Sequence, residues 1–201
     1  MRRLLAGCAV LACALPLLGP LLPCIATEPA GDAAVFAELL KLLSERRHGH
    51  VAFTEVQRLS ILDESLHSSG ELMYDAPDRL EKRTLAPRPE ELLLENGVLT
   101  VERNHHRRSV ALRDFPQAAP FVESLRATLA GDRAALERYF TVHFSGTLDR
   151  WSLELTPADA ALRRSVQRVL IAGERDRIHI VEIDQRDGDS STLTIGPELS
   201  P

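Results

Sequence analysis

An antiparallel meander of about ten strands, covered by about three helices, is the α+β fold that this 201-residue sequence predicts. Three observations predict it. Residues 51–87, VAFTEVQRLSILDESLHSSGELMYDAPDRLEKRTLAP, read as strand, turn, strand, proline break, strand. β-branched and aromatic residues there alternate with turn formers, and short strands joined by short turns pair antiparallel. Asn96-Gly97 joins EELLLE to VLTVER, a strong two-residue hairpin signal. Three other segments carry apolar residues at helical spacing instead.

The first helix is capped by Thr27 or Asp32 and runs to about Arg47. Phe36, Leu39, Leu40 and Leu43 fall at i, i+3, i+4 and i+7, one apolar stripe, with Glu38 early and Arg46 and Arg47 late as the helix dipole prefers. The first strand run, Val51 to Leu62, alternates imperfectly: Val51 and Phe53 share a face that Glu55 and Gln57 continue. Asp63, Glu64 and Ser65 interrupt it. Leu72 and Tyr74 share one face of the second strand, which ends at Ala76-Pro77 because the residue before a proline is pushed out of the helical region. Leu80 follows in the third.

After the Asn96-Gly97 hairpin, His105-His106-Arg107-Arg108 reads as a polar turn before a short strand through Leu112. Pro116 to Ala130 is predicted helical, with Phe121, Leu125 and Leu129 at i, i+4 and i+8. Gly131 stops that helix, and Asp132 caps another through Tyr139 that carries Leu136 and Phe140. Both helices interrupt the strand runs, as a cover laid across the sheet would. The strands resume at Val142 to Leu148 and at Trp151-Ser152-Leu153-Glu154-Leu155, a clean alternation ended by Pro157. A polar connection (158–165) with room for one helical turn leads to Val166–Ala172, Ile178–Ile183 and, past Asp187-Gly188, Ser191–Ile195. The sequence contains no repeat, low-complexity tract or linker, so residues 27–201 form one domain.

The first 26 residues stand apart. Met1-Arg2-Arg3 precedes a charge-free apolar run, Leu4 to Leu22, and Cys24-Ile25-Ala26 supplies a small-x-small site. That is the pattern of a secretory signal peptide cut after Ala26. The run approaches membrane-spanning length, so a retained anchor is the other reading; Pro16, Pro20, Pro23 and the small residues after them favour cleavage. All three cysteines (Cys8, Cys13, Cys24) lie in this segment, which leaves the mature chain without disulfides or thiol chemistry. Cys8 and Cys13 come too early for lipid attachment, and Cys24 follows Pro23. The net charge of −5 becomes −7 without Arg2 and Arg3, which argues against a nucleic-acid partner.

Motifs for chemistry are missing. His48 and His50 are two apart and His105-His106 adjacent, so neither pair shares a helical face, and no metal is expected. Asp187-x-Asp189-x-Ser191 opens like a calcium loop with Glu198 in twelfth place, but Thr192 stands where the sixth-position glycine belongs, which makes it a hairpin turn. G-x-S-x-G, phosphate-cradling glycines and H-E-x-x-H do not occur, so neither enzymatic activity nor a cofactor is expected. Aromatic residues are only 4% while leucine is abundant, so any cavity would be aliphatic. Composition leaves open whether the apolar faces simply pack together or enclose a space.

Phe53-Thr54-Glu55, Gly70-Glu71-Leu72-Met73-Tyr74, Pro77 with Leu80 after it, and the strand Trp151 to Pro157 occur in an order that resembles the periplasmic LolA-type outer-membrane lipoprotein carriers (F-x-Q, then G-x-L-x-aromatic, then proline). The resemblance covers most of residues 32–196. It implies an incomplete, strongly curved antiparallel β-barrel with helices as a lid over a hydrophobic cavity. It also implies a monomeric periplasmic protein that carries a lipidated protein or glycolipid client from an inner-membrane exporter to an outer-membrane acceptor. Phe36, Phe53, Leu72, Tyr74, Leu80, Leu94, Phe121, Leu125, Trp151 and Leu153 are the lipid-binding candidates. The family has a lid-latching arginine just before the proline; here Ala76 stands there after Asp75, and Arg79 and Arg83 are the candidates to replace it. Of the two glutamines typical of the family's first strand, Gln57 remains and Glu55 takes the other place. These departures point to a divergent member serving a glycolipid or other acylated product. LolA-like folds also serve in envelope stress signalling, so a sensor or protein-interaction domain is the alternative class.

Overall fold

The computed structural model describes residues 30–114, 119–158, 160 and 162–199. The expected signal peptide, Thr27 and Pro116 lie outside them. The chain begins with α1 (Ala30–Glu45) and then lays down β1 (His48–Arg58), β2 (Leu66–Asp75), β3 (Arg79–Ala86), β4 (Glu90–Glu95), β5 (Val98–Arg103) and β6 (His106–Ala111). A 3-10 turn (Leu112–Asp114), α2 (Ala119–Leu129) and α3 (Arg133–Tyr139) cross to the second strand series. That series is β7 (Phe140–Thr147), β8 (Arg150–Pro157), a 3-10 turn (Leu162–Arg164), β9 (Val166–Glu174), β10 (Arg177–Gln185) and β11 (Ser190–Glu198).

Among the described residues eleven strands join one antiparallel sheet in the order β6-β5-β4-β3-β2-β1-β11-β10-β9-β8-β7. The sheet curves but does not close, because β6 and β7 are its two free edges. Within each series, β1–β6 and β7–β11, every strand pairs with its neighbour in sequence, and the two series join at the centre, where β1 meets β11 with Phe53 opposite Ile195 and Glu55 opposite Leu193.

Several element ends differ from the sequence reading. α1 starts at Ala30, so Asp32 sits in its first turn, where a carboxylate also suits the dipole. β1 stops at Arg58: its ladder to β2 ends at Gln57–Leu66, the Ser60 amide donates to the Asp189 carboxylate at 2.7 Å, and the backbone turns. Ile61 and Leu62, expected to extend that strand, are therefore exposed. The turn before β6 is only Asn104-His105, both with positive φ, so His106, Arg107 and Arg108 are strand residues paired with β5. A two-residue turn with left-handed conformation at both positions matches strand twist, and Asn tolerates it. Asn96-Gly97 does the same between β4 and β5.

The core lies under one half of the concave face. Phe36, Leu39, Leu40 and Leu43 of α1 pack with Leu136 of α3 onto Phe144, Trp151, Leu153, Leu155, Val169 and Ile171 of β7–β9. The Phe36 and Phe144 rings stack at 5.7 Å between centroids. Trp151, too large to bury without a partner for its N–H, donates to the Arg175 carbonyl at 3.0 Å. Asp132 caps α3, accepting from the Ala135 amide at 3.0 Å.

Candidate functional site

The other half of the concave face is not filled. Strand alternation places Val51, Leu72 and Tyr74, Leu80, Leu92 and Leu94, and Leu99 on that face of β1 to β5. The ladder pairs them across the sheet, Tyr74 with Leu80, Leu80 with Leu94, and Leu94 with Leu99, so the apolar row is continuous. α2 stands over it and turns Val122, Leu125 and Leu129 inward, at i, i+3 and i+7. Its opposite face carries small residues: Ala127 joins the core, and Ser124 and Thr128 are buried on the same side. Between α2 and the sheet lies a cavity of about 620 Å³, closed toward the β10–β11 side by Ile178 and Ile195. Leu72, Leu80, Leu92, Leu99 and Leu125 are only half-buried because they face this space.

Of the lipid-binding candidates, Leu72, Tyr74, Leu80, Leu94 and Leu125 line the cavity. Phe36, Trp151 and Leu153 belong to the packed core instead, because α1 crosses to the β7–β10 half and fills it. Phe53 is buried beside the cavity, with the Lys82 ammonium 5.1 Å from its ring centroid. The side chain of Phe121 lies outside the described residues. Sequence reasoning missed Val51, Leu92, Leu99, Val122, Leu129, Ile178 and Ile195. The alternation of EELLLE and VLTVER about their hairpin was the signal that placed Leu92 and Leu99 on the face of Leu94.

One polar cluster adjoins the apolar lining. Lys82, which lines the cavity, donates to the Glu55 carboxylate at 2.5 Å; Ser191 donates at 2.8 Å, and Ser68 and Gln57 at 3.2 Å each. Burial pushes the Glu55 carboxyl up, but Lys82 and the donated hydrogen bonds outweigh burial and hold it below its ordinary value. The Tyr74 hydroxyl is pushed up by burial in the lining, against the pull of Arg47 and Arg126.

Arg79 and Arg83 do not latch the helices. Both point away from the cavity on β3 and clamp the buried Glu81 between them, each at 2.7 Å. The corner after α2 packs closely against α1. Gly131 there has φ +64, and a Cβ on it would stand 2.2 Å from the Leu40 carbonyl oxygen of α1. Among the described residues no group of His, Asp and Glu is arranged to hold a metal ion, and no helix is long and apolar enough to cross a membrane.

No curated protein matches the chain in sequence. In structure it is similar to a LolA superfamily protein of Nitrosomonas europaea (13% identity, 83% of this chain and 94% of that one, TM-score 0.46). It is similar to the lipoprotein LppX of Mycobacterium tuberculosis (12% identity, 85% and 97%, TM-score 0.46). It is also similar to the MucA/MucB complex structure of Pseudomonas aeruginosa (13% identity, 82% and 58%, TM-score 0.42). A family model described as outer membrane lipoprotein carrier protein LolA-like matches residues 28–197, most of the chain, and the chain belongs to that LolA-like family.

Proposed function

We propose that this protein is a periplasmic carrier that takes the acyl part of a lipoprotein or glycolipid into the cavity beneath α2 and ferries it between the inner and outer membranes. The observation that carries this reading is the cavity itself: an aliphatic space of about 620 Å³ in a domain whose other half is tightly packed. Soluble domains seldom leave a contiguous apolar concavity of this size open to water unless a ligand or partner covers it. A fold that keeps one this large is built to have it filled.

The physical need for a carrier is plain. At about 0.8 kcal/mol per methylene, a ~16-carbon chain costs roughly 12 kcal/mol to hold in water, so an acylated client does not cross an aqueous space unaided. At about 30 Å³ per water-sized group, the cavity holds roughly twenty such groups, enough for one acyl chain. A diacyl client requires α2 to lift. Carriage makes and breaks no bond, which agrees with the absence of catalytic motifs from the sequence. Residues 1–26 direct export and are removed. An inner-membrane exporter supplies the client and an outer-membrane acceptor receives it.

Native mass spectrometry of residues 27–201, purified gently from a periplasmic extract, tests the reading. The expected result is a bound mass that dissociates as a lipid or acylated peptide. A protein that is bare as isolated, and stays bare when offered lipids, refutes the carrier function; retention of a specific protein partner would then favour a sensor domain.

A further inference from the structure

The β1–β2, β3–β4, β5–β6 and β10–β11 turns share one rim of the sheet. Among the described residues, the large apolar side chains left exposed are Ile61, Leu62, Leu66, Leu85 and Val98, and all but Val98 lie on this rim. Their exposure is built into the backbone. The Leu62 amide donates to the Leu59 carbonyl at 2.9 Å and the Ser60 amide to Asp189 at 2.7 Å, so a hydrogen-bonded turn holds Ile61 at 87% exposure. Leu66 stands where β2 runs past the end of β3, whose ladder stops at Ser69–Ala86. Leu85 is the extra residue of a β-bulge, between Thr84 opposite Gly70 and Ala86 opposite Ser69. A single exposed leucine needs no explanation, but a group at the tips of neighbouring turns does.

Cations flank the group toward β6. Arg88 on the β3–β4 turn and Arg107 and Arg108 at the start of β6 are exposed and form no ion pair among the described residues, although Glu102 stands opposite Arg107 in the ladder. The rim's carboxylates Asp63, Glu64, Asp187 and Asp189 belong instead to the β1–β2 and β10–β11 turns. Apolar tips that protrude from turns, beside arginines that no carboxylate fixes, match a bilayer interface: aliphatic side chains enter the acyl boundary while guanidinium groups meet lipid phosphates. The chain is acidic overall, with a net charge of −5, so an anionic bilayer repels it in other orientations and selects this one.

We propose that this rim is a membrane-docking surface, which seats the β1–β6 half of the molecule on a bilayer containing anionic phospholipid. The cavity wall reaches to the Lys82–Leu92 pair, separated from the rim only by Arg83–Glu91 and Thr84–Glu90, so a docked molecule holds its cavity close to the lipid. The proposal goes beyond the carrier reading, which needs an exporter and an acceptor but no contact with the bilayer itself.

Sedimentation of residues 27–201 with vesicles of phosphatidylcholine, or of phosphatidylcholine mixed with phosphatidylglycerol, tests it. The mixed vesicles are expected to bind about tenfold more tightly, and Arg107→Gln/Arg108→Gln to remove most of that preference, since two cations at an anionic surface are worth about tenfold or more. Ile61→Ser/Leu62→Ser should weaken binding to both vesicles by about tenfold, whereas Leu125→Glu inside the cavity should change neither. Residues 27–201 contain no cysteine, so Ile61→Cys can carry a polarity-sensitive fluorophore. Its emission should shift to the blue on vesicles, and the same label at Val98→Cys on the opposite rim should not. Absence of sedimentation, rim variants that bind as wild type does, or a blue shift at Val98 in place of Ile61 overturns the docking surface in favour of a protein acceptor and leaves the carrier reading untouched. Loss of binding in Leu125→Glu alone overturns it too, because lipid drawn into the cavity then holds the protein to the vesicles. Rim-dependent binding by a protein that native mass spectrometry finds bare refutes the carrier and leaves this surface standing.

Discussion

Glu55 holds its charge at 7% exposure only because Lys82, Ser68, Gln57 and Ser191 surround it with donors. Native Glu55 therefore takes up a proton less readily than in the unfolded chain. It stabilises the fold above its ordinary value of 4.5, and the contribution is lost as pH falls below that. The gap in unfolding free energy between wild type and Glu55→Gln is expected to narrow from about pH 6 to about pH 3; a constant gap would show that the carboxylate contributes nothing. Lys82→Met is expected to destabilise by about 2 kcal/mol, because it leaves a buried carboxylate without its cation, and adding Glu55→Gln should restore part of the loss. At Leu125, a half-buried wall of the cavity, Leu125→Glu should keep the melting temperature close to wild type yet abolish binding of a dodecyl probe. Leu153→Glu, at 0% exposure in the core, should fail to fold. The face shared by Phe53 and Glu55 was visible in the sequence as a flaw in alternation. The network was not, since Lys82 and Ser191 come from strands whose register no local pattern sets.

At the scale of elements, the corner between α2 and α3 decides how the cover sits. Gly131→Ala forces a side chain into a left-handed turn and against the Leu40 carbonyl, so a loss of about 2 kcal/mol or more in chemical denaturation is expected. Asp132→Ala next to it removes only a cap and should cost about 1 kcal/mol. Equal effects from the two would mean that the corner is not a tight docking point. Helix and strand types were legible because apolar spacing of 3.6 or 2 survives in a single sequence. Their ends were less so. Ile61 and Leu62 look like strand until the ladder from β1 to β2 is known to stop at Gln57, and His106 to Arg108 look like turn until Asn104-His105 is seen to suffice. Charged side chains on β6 fit its position at a free edge, where they discourage pairing with other chains. Arg79 and Arg83, the candidates to replace the family's latching arginine, do not reach the helices for a simple reason: both alternate with Leu80 and Lys82 and so face the other side of the sheet.

The whole molecule divides its concave face between a packed core and an open cavity. The stripe on α1 foretold a buried helix, but not which half it would fill, since that depends on its crossing to β7. Hydrogen exchange should show the difference: amides of β7–β10 under α1 are expected to exchange slowest, and those of β4–β6 fastest. Uniform protection would mean that the cavity half is packed as firmly as the other. The seam between β1 and β11 carries a further consequence. The helix that completes the core of the second meander is encoded ahead of the first, and neither series of strands can bury its apolar face alone. Severed within the crossover after Asp114, the two pieces should each be insoluble in isolation, yet reassemble by complementation when expressed together, as an obligate pair that happens to be covalently joined.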